Sequence, residues 1–248
     1  MQDYIIAESY TLPSKGLVYD SNVNPEIKIR SMTTNEEIKR LGKTDLPYKM
    51  ISEIIDDCLV EKPGISAYDM CIADYQFLFH KLRVVTYGSD YKIETVCPIC
   101  GATSEKIINL EDLEVSEYSD AMKKYLHFTL PVSKKVIDIR LQTPRMLDEI
   151  QLKAKETLKK ASKFKGEPAF LYTLESLISK VDGQVLDEVK LEQFVRALPM
   201  RDVNYILKNA QKVDFGIKSD IDCTCPTCGG EYNMIFPITA EFFGPSID

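Results

Sequence analysis

At 248 residues and 44% hydrophobic content, the chain is long enough to bury one large core or two smaller ones, which excludes a disordered polypeptide. A formal net charge of -7 excludes the dense lysine–arginine surface by which sequence-independent nucleic-acid binders displace counterions. No run approaches eighteen uncharged apolar residues, and the opening MQDYIIAESYTLPSKG has neither the basic start nor the apolar stretch of a signal peptide, so the expectation is a cytosolic chain without a membrane span.

In chain order, the first expected element is an extended segment at Thr11-Leu12-Pro13, followed by a strand over Glu26-Ile27-Lys28-Ile29-Arg30, where apolar and polar residues alternate. Thr34-x-x-Glu37 fits a capping box and predicts a helix through Leu41. Helices near 48–61 and 71–86 lead into strand-like text and a CPICG knuckle, after which Ile107-Ile108 marks another strand. Lys135-Val136-Ile137-Asp138-Ile139-Arg140 alternates again, and Thr143 before Pro144 is an N-cap followed by the residue best tolerated in a first helical turn. Further helices are expected near 145–162, 168–180, 188–198 and 201–212, with Asp182-Gly183 turning the chain between two of them. A CPTCG knuckle and the apolar pair Ile235-Phe236 follow. The fold class is α+β.

The same text occurs twice. ADYQFLFHKLRVVTYGSDYKIETVCPICG and RDVNYILKNAQKVDFGIKSDIDCTCPTCG align over 29 columns without a gap at a shift of 128, pairing Asp74 with Asp202, Gly88 with Gly216 and Cys97 with Cys225. Upstream, Thr11-Leu12-Pro13 answers Thr129-Leu130-Pro131 at a shift of 118, and Ile29-Arg30 answers Ile139-Arg140 at 110. Unequal shifts are expected of old copies that have drifted in their loops. The reading is an internal duplication with halves at 1–127 and 128–248, forming one integrated unit.

The four cysteines of the two knuckles, Cys97, Cys100, Cys225 and Cys228, are the candidate metal ligands. A C-x-x-C turn brings two thiolates to one ion, and two such turns complete the tetrahedron that structural zinc prefers. Between the thiolates, Pro98 and Pro226 fix the backbone, and Gly101 and Gly229 supply the positive φ that turns amides toward sulfur. The 124 residues between Cys100 and Cys225 make this a split zinc ribbon. Closing such a loop costs on the order of 4 kcal/mol, well below the roughly 10–16 kcal/mol that structural zinc supplies. Two pseudo-symmetric helix–strand–knuckle halves would meet at one shared zinc. Cys223 pairs with Thr95 in the alignment and is therefore left out of the set, while Cys58 and Cys71 lie on helical text and are expected in the core.

Other signals are weaker. Gly42-Lys43-Thr44 lacks a glycine five positions before Gly42, where Glu37 stands, so no phosphate cradle is expected. Lys153, Lys155, Lys159, Lys160, Lys163 and Lys165 carry no interleaved aromatics and read as a solvated face. His80 and His127, the two histidines, lack a nucleophile and carboxylate at catalytic spacing. A zinc with four thiolates leaves no open position for water, so no enzyme and no small-molecule substrate are expected. The apolar text around Phe242 and Phe243 is either core or a docking surface.

YTLPSKGLVYD, followed by IKIRSMTTNEE, ADYQFLFHKLRVVTYGSDY and a CPxCG knuckle, resembles the baseplate hub and hub-assembly proteins of T-even-type contractile-tailed bacteriophages. The resemblance covers roughly the first 130 residues in recognisable text and the remainder by layout. It implies a non-enzymatic structural or assembly protein of the central baseplate. Such a protein binds other phage baseplate and tail proteins in the host cytoplasm during assembly and ends in the virion tail. The competing reading from another class is a zinc-ribbon nucleic-acid-binding or transcription accessory factor, against which the acidic charge weighs.

Overall fold

The computed structural model describes residues 6–160, 166–235 and 240–243. The chain opens with β1 (Ala7–Thr11) and β2 (Glu26–Arg30), paired antiparallel with Tyr10 opposite Ile27. Ile27 and Ile29 face the core while Glu26 and Lys28 face out, as the two-residue alternation requires. Next come α1 (Thr34–Arg40) and α2 (Pro47–Cys58), then β3 (Leu59–Glu61), α3 (Ile72–Tyr87), the hairpin of β4 (Asp90–Val96) and β5 (Thr103–Asn109), and β6 (Val115–Ser116). The remainder comprises β7 (His127–Thr129), β8 (Val136–Ile139), α4 (Pro144–Lys160), α5 (Pro168–Leu177), β9 (Ile178–Val181), α6 (Glu188–Ala197), α7 (Met200–Lys212), β10 (Gly216–Ile217), and the hairpin of β11 (Asp220–Thr224) and β12 (Glu231–Ile235). Among the described residues no helix is long and apolar enough to cross a membrane.

Four local expectations are corrected. The capping box of α1 is Thr33 with Glu36, one residue earlier than Thr34 with Glu37: Thr33 Oγ1 accepts from the Asn35 amide, and Glu36 accepts from the Thr33 amide at 2.7 Å. Arg30 holds Glu36 at 2.9 Å and so aims it at the cap, whereas Glu37 turns outward to Arg40. The helices expected at 48–61 and 168–180 both stop early, at Cys58 and Leu177, and their final residues become β3 and β9. Leu59 then pairs with Ile29 and Ile178 with Ile139, so ladder hydrogen bonds to an existing strand replace another turn of helix. Asp182 and Gly183, both at positive φ, consequently turn the chain after a strand, with Val181 bridged to Gln184. The end of the helix expected over 145–162, along with Lys163, Lys165 and Phe236, lies outside the described residues.

Two three-stranded antiparallel sheets share one plan, with orders β1-β2-β3 and β7-β8-β9. Each contains a register shift at the same place, Lys28/Ile29 in one and Asp138/Ile139 in the other, leaving Val60 and Ser179 as the extra residues. Leu12 N donates to Pro25 O at 2.9 Å in the first sheet, and Leu130 N to Lys135 O at 2.8 Å in the second. A buried carboxylate at the start of a helix seizes the loop after each TLP segment. Asp74 of α3 accepts from Ser14 N at 3.0 Å, and Asp202 of α7 accepts from Val132 N and Ser133 N at 2.8 and 2.9 Å.

The two regions interlock. α3 is buried almost all round and forms the spine of the larger core, with Leu78 and Leu82 fully enclosed beside Ile27, Ile29, Ile54 and Ile55. Phe242 and Phe243 close this core, since Phe79 stacks on Phe242 at 5.4 Å and meets Phe243 edge-on at 4.5 Å. The smaller core gathers Leu130, Ile137, Leu174 and Ile206. Between them β10 pairs with β6, and Gly216, at φ +102°, lies so close to Ala73 of α3 that a Cβ would stand 3.1 Å from the alanine Cβ. Ile221 and Cys223 of β11 belong to the larger core. Asp148 of α4 accepts from the Tyr48 and Lys49 amides at the start of α2 and from the Tyr68 hydroxyl.

Candidate metal centre

Two hairpins of the same design carry the knuckles. In the first, between β4 and β5, Cys97 N donates to Ala102 O and Gly101 N to Cys97 O, both at 2.9 Å. In the second, between β11 and β12, Cys225 N donates to Gly230 O and Gly229 N to Cys225 O, again at 2.9 Å. The turns close only with positive φ, which Gly101 (+73°) and Gly229 (+70°) supply without a Cβ penalty.

α3 delivers the first hairpin and α7, through β10, the second, so that the two knuckle tips face each other. All four Sγ atoms lie within 4.8 Å of one another. Cys97 Sγ is 3.9 Å from Cys228 Sγ, and Cys100 Sγ is 3.7 Å from Cys225 Sγ. The first cysteine of each knuckle therefore meets the second cysteine of the other, as a local twofold exchange would arrange. The first cysteines, Cys97 and Cys225, are buried and the second, Cys100 and Cys228, reach solvent. Ile99 of one knuckle lies over Gly230 of the other, where an added Cβ would stand 2.4 Å from its Cδ1.

The four thiols converge closely enough to hold a metal ion. Amides of Cys228 and Thr227 directed at Cys225 pull its thiol down to about 6. At Cys100 the Ala102 amide also pulls downward, but crowding by the Cys228, Cys225 and Cys97 sulfurs outweighs it and pushes the thiol up to about 12. Thiolates packed this closely repel one another, and a cation among them would relieve that repulsion.

Cys223 stands outside this group. It is buried in the larger core and accepts from Lys106 Nζ at 3.4 Å, while Lys106 also donates to Asp222 O. Its alignment partner Thr95 accepts from Tyr232 OH at 3.1 Å. Cys58 and Cys71 are buried, at the end of α2 and the start of α3. His80 is enclosed beside Phe242 with neither ring nitrogen hydrogen-bonded among the described residues, and burial drives its pKa down to about 3. His127 lies exposed on β7 against Asp138. Lys153, Lys155 and Lys160 pair with Glu188, Asp45 and Glu156 at the surface. The loop-holding role of Asp74 and Asp202 was not anticipated from sequence; its signal was an identical acid in both aligned segments.

No curated protein and no solved structure matches the chain. The family model described as T4 bacteriophage base plate protein matches residues 6–244, well beyond the first 130 residues in which the resemblance was recognisable and across both knuckles. The chain thus belongs to the T4 bacteriophage base plate protein family.

Proposed function

We propose that this baseplate protein is a structural or assembly subunit of the central hub, acting by binding other baseplate and tail proteins, and that Cys97, Cys100, Cys225 and Cys228 hold one structural zinc ion. Family membership over residues 6–244 carries the baseplate reading. For the metal, the carrying observation is the sulfur spacing. A tetrahedron with bonds of about 2.3 Å has edges of about 3.8 Å, and the cross-knuckle separations are 3.9 and 3.7 Å. An all-thiolate set whose sulfurs all lie within 4.8 Å of one another suits zinc and leaves it no open coordination position for chemistry, in keeping with a non-enzymatic role.

The chain is read as two copies of one unit, 1–127 and 128–248, joined at a split ribbon. Support comes from the shared strand order, the paired register shifts and the equivalent carboxylate–loop bonds of Asp74 and Asp202. Metal at the junction would hold the two hairpins in fixed register, as a subunit that positions large partners requires. The protein assembles in the host cytoplasm and resides in the virion baseplate. A net charge of -7 weighs against the nucleic-acid alternative.

Deleting the gene in the phage tests the baseplate reading: heads form, while complete baseplates and tails do not. Normal tails from the deletion phage would defeat it. Elemental analysis of the purified protein tests the metal, with one zinc per chain expected; two equivalents, or none after metal-replete expression, would remove the shared site.

A further inference from the structure

A cavity of about 360 Å3 opens between α4, α5 and the start of α6. Ile150, Leu186 and Leu191 line it together with Glu149, Glu175 and Glu188 and with two of the chain's own cations, Arg140 and Lys153. Glu175 is only 9% exposed, yet its Oε1 is enclosed without a hydrogen-bond partner among the described residues. Leaving a buried charged acceptor unpaired is costly. Burial, followed by the charge of Glu192, raises this carboxyl above the ordinary range.

The cations that line or border the cavity already have partners other than Glu175. Lys153 Nζ meets Glu188 Oε1 at 2.5 Å, Arg196 Nε meets Glu192 at 2.8 Å, and Arg140 donates to the carbonyls of Ser176 and Ile178 at 2.8 and 3.2 Å. Among the described residues neither Glu149 nor Glu175 forms an ion pair within 4.0 Å. A metal ion does not fit, because the cysteines are the sole group of three or more potential ligands that converge among the described residues. A carboxylate that lines a cavity together with apolar side chains is instead complementary to a cation on a hydrocarbon stem.

We propose that this cavity is a socket for a lysine or arginine side chain of a neighbouring baseplate protein. The stem lies on Ile150, Leu186 and Leu191, and the charged head reaches Glu175, with Glu149 strengthening the field. The identity of the neighbour rests on the baseplate reading; the socket itself does not.

The test is a titration of the full chain with n-butylammonium, in parallel with butan-1-ol and butyrate at constant ionic strength, following the methyl resonances of Ile150, Leu186 and Leu191. Saturable shifts are expected from butylammonium, with butan-1-ol at least about tenfold weaker and butyrate silent. In Glu175→Gln the affinity for butylammonium falls about tenfold or more, while the melting temperature is unchanged or raised, since a buried unpaired carboxylate has been removed. An equal response to butan-1-ol, an unchanged affinity in Glu175→Gln, or a lowered melting temperature, which would mark Glu175 as serving the fold through Lys153, overturns the socket. In the phage, Glu175→Gln lowers the yield of complete baseplates; a wild-type yield overturns a baseplate neighbour as the occupant. The titration needs no other phage protein, so its failure leaves the baseplate reading standing, whereas normal tails from the deletion phage defeat that reading alone.

Discussion

Asp202 accepts two amides of the loop at 132–133 from a fully buried position. Replacing it with Ala strands both donors in the interior, at a cost of about 2–4 kcal/mol from two unsatisfied groups. Urea denaturation should show this as a lower midpoint with an unchanged slope, and Asp74→Ala, which strands the Ser14 amide and the Tyr19 hydroxyl, should show a comparable loss. A loss confined to one of the two variants would mean that the acids do not serve corresponding loops in the same way. The cysteines make a sharper case, because each proposed ligand is one quarter of the shell. Cys225→Ser should bring zinc content from one equivalent toward none and lower stability by several kcal/mol. Cys223→Ser should keep the metal, since that thiol lies in the core against Lys106; metal loss in this variant would move Cys223 into the coordination shell.

At the scale of single elements, α1 ties its own start to the adjacent sheet. Burial raises the Glu36 carboxyl, but hydrogen bonds from Arg30 and Thr33 outweigh it and bring the group down to about 2. A carboxylate whose folded pKa lies below its unfolded value adds stability that is fully present above about pH 4.5 and disappears as the pH falls toward 2. Because part of the Arg30 pair meets solvent, the contribution is on the order of 1–2 kcal/mol rather than the full value of the shift. Glu36→Gln should therefore be less stable than the parent at pH 6 and equal to it near pH 2; a constant difference across that range would assign the loss to packing. The same element marks where sequence stopped being informative. Alternation at 26–30 and the Thr143-Pro144 start of α4 are local signals and were legible. The end of α2 was not, since Leu59 continues the apolar spacing of the helix and only its pairing with Ile29, thirty positions back, makes it a strand. Ile178 misleads for the same reason against Ile139. The knuckles were legible because two thiols and a glycine define a turn within five residues. The cavity at Glu175 was not, because three separate helical segments build it.

Over the whole molecule, the cysteine cluster is one of several links between the two regions. β6 pairs with β10, Gly216 packs on Ala73, Ile221 lies in the larger core, and Asp148 caps the start of α2. None of these depends on a metal, and together they bury apolar surface that remains buried when the thiols are empty. The two hairpins differ in this respect: each is two-stranded and exposes alternate residues, and isolated two-stranded ribbons are marginal in water. Chelation should therefore loosen the molecule locally rather than unfold it. Hydrogen exchange after metal removal should lose protection at 90–109 and 220–235, with opening free energies there falling toward zero, while α3, α4 and α5 keep theirs. The melting transition should move down yet remain a single cooperative step. If chelation instead exposes α3 and α4 together with the hairpins, the metal and not the interlocked cores joins the two regions, and the proposed halves fold only as far as the ion holds them.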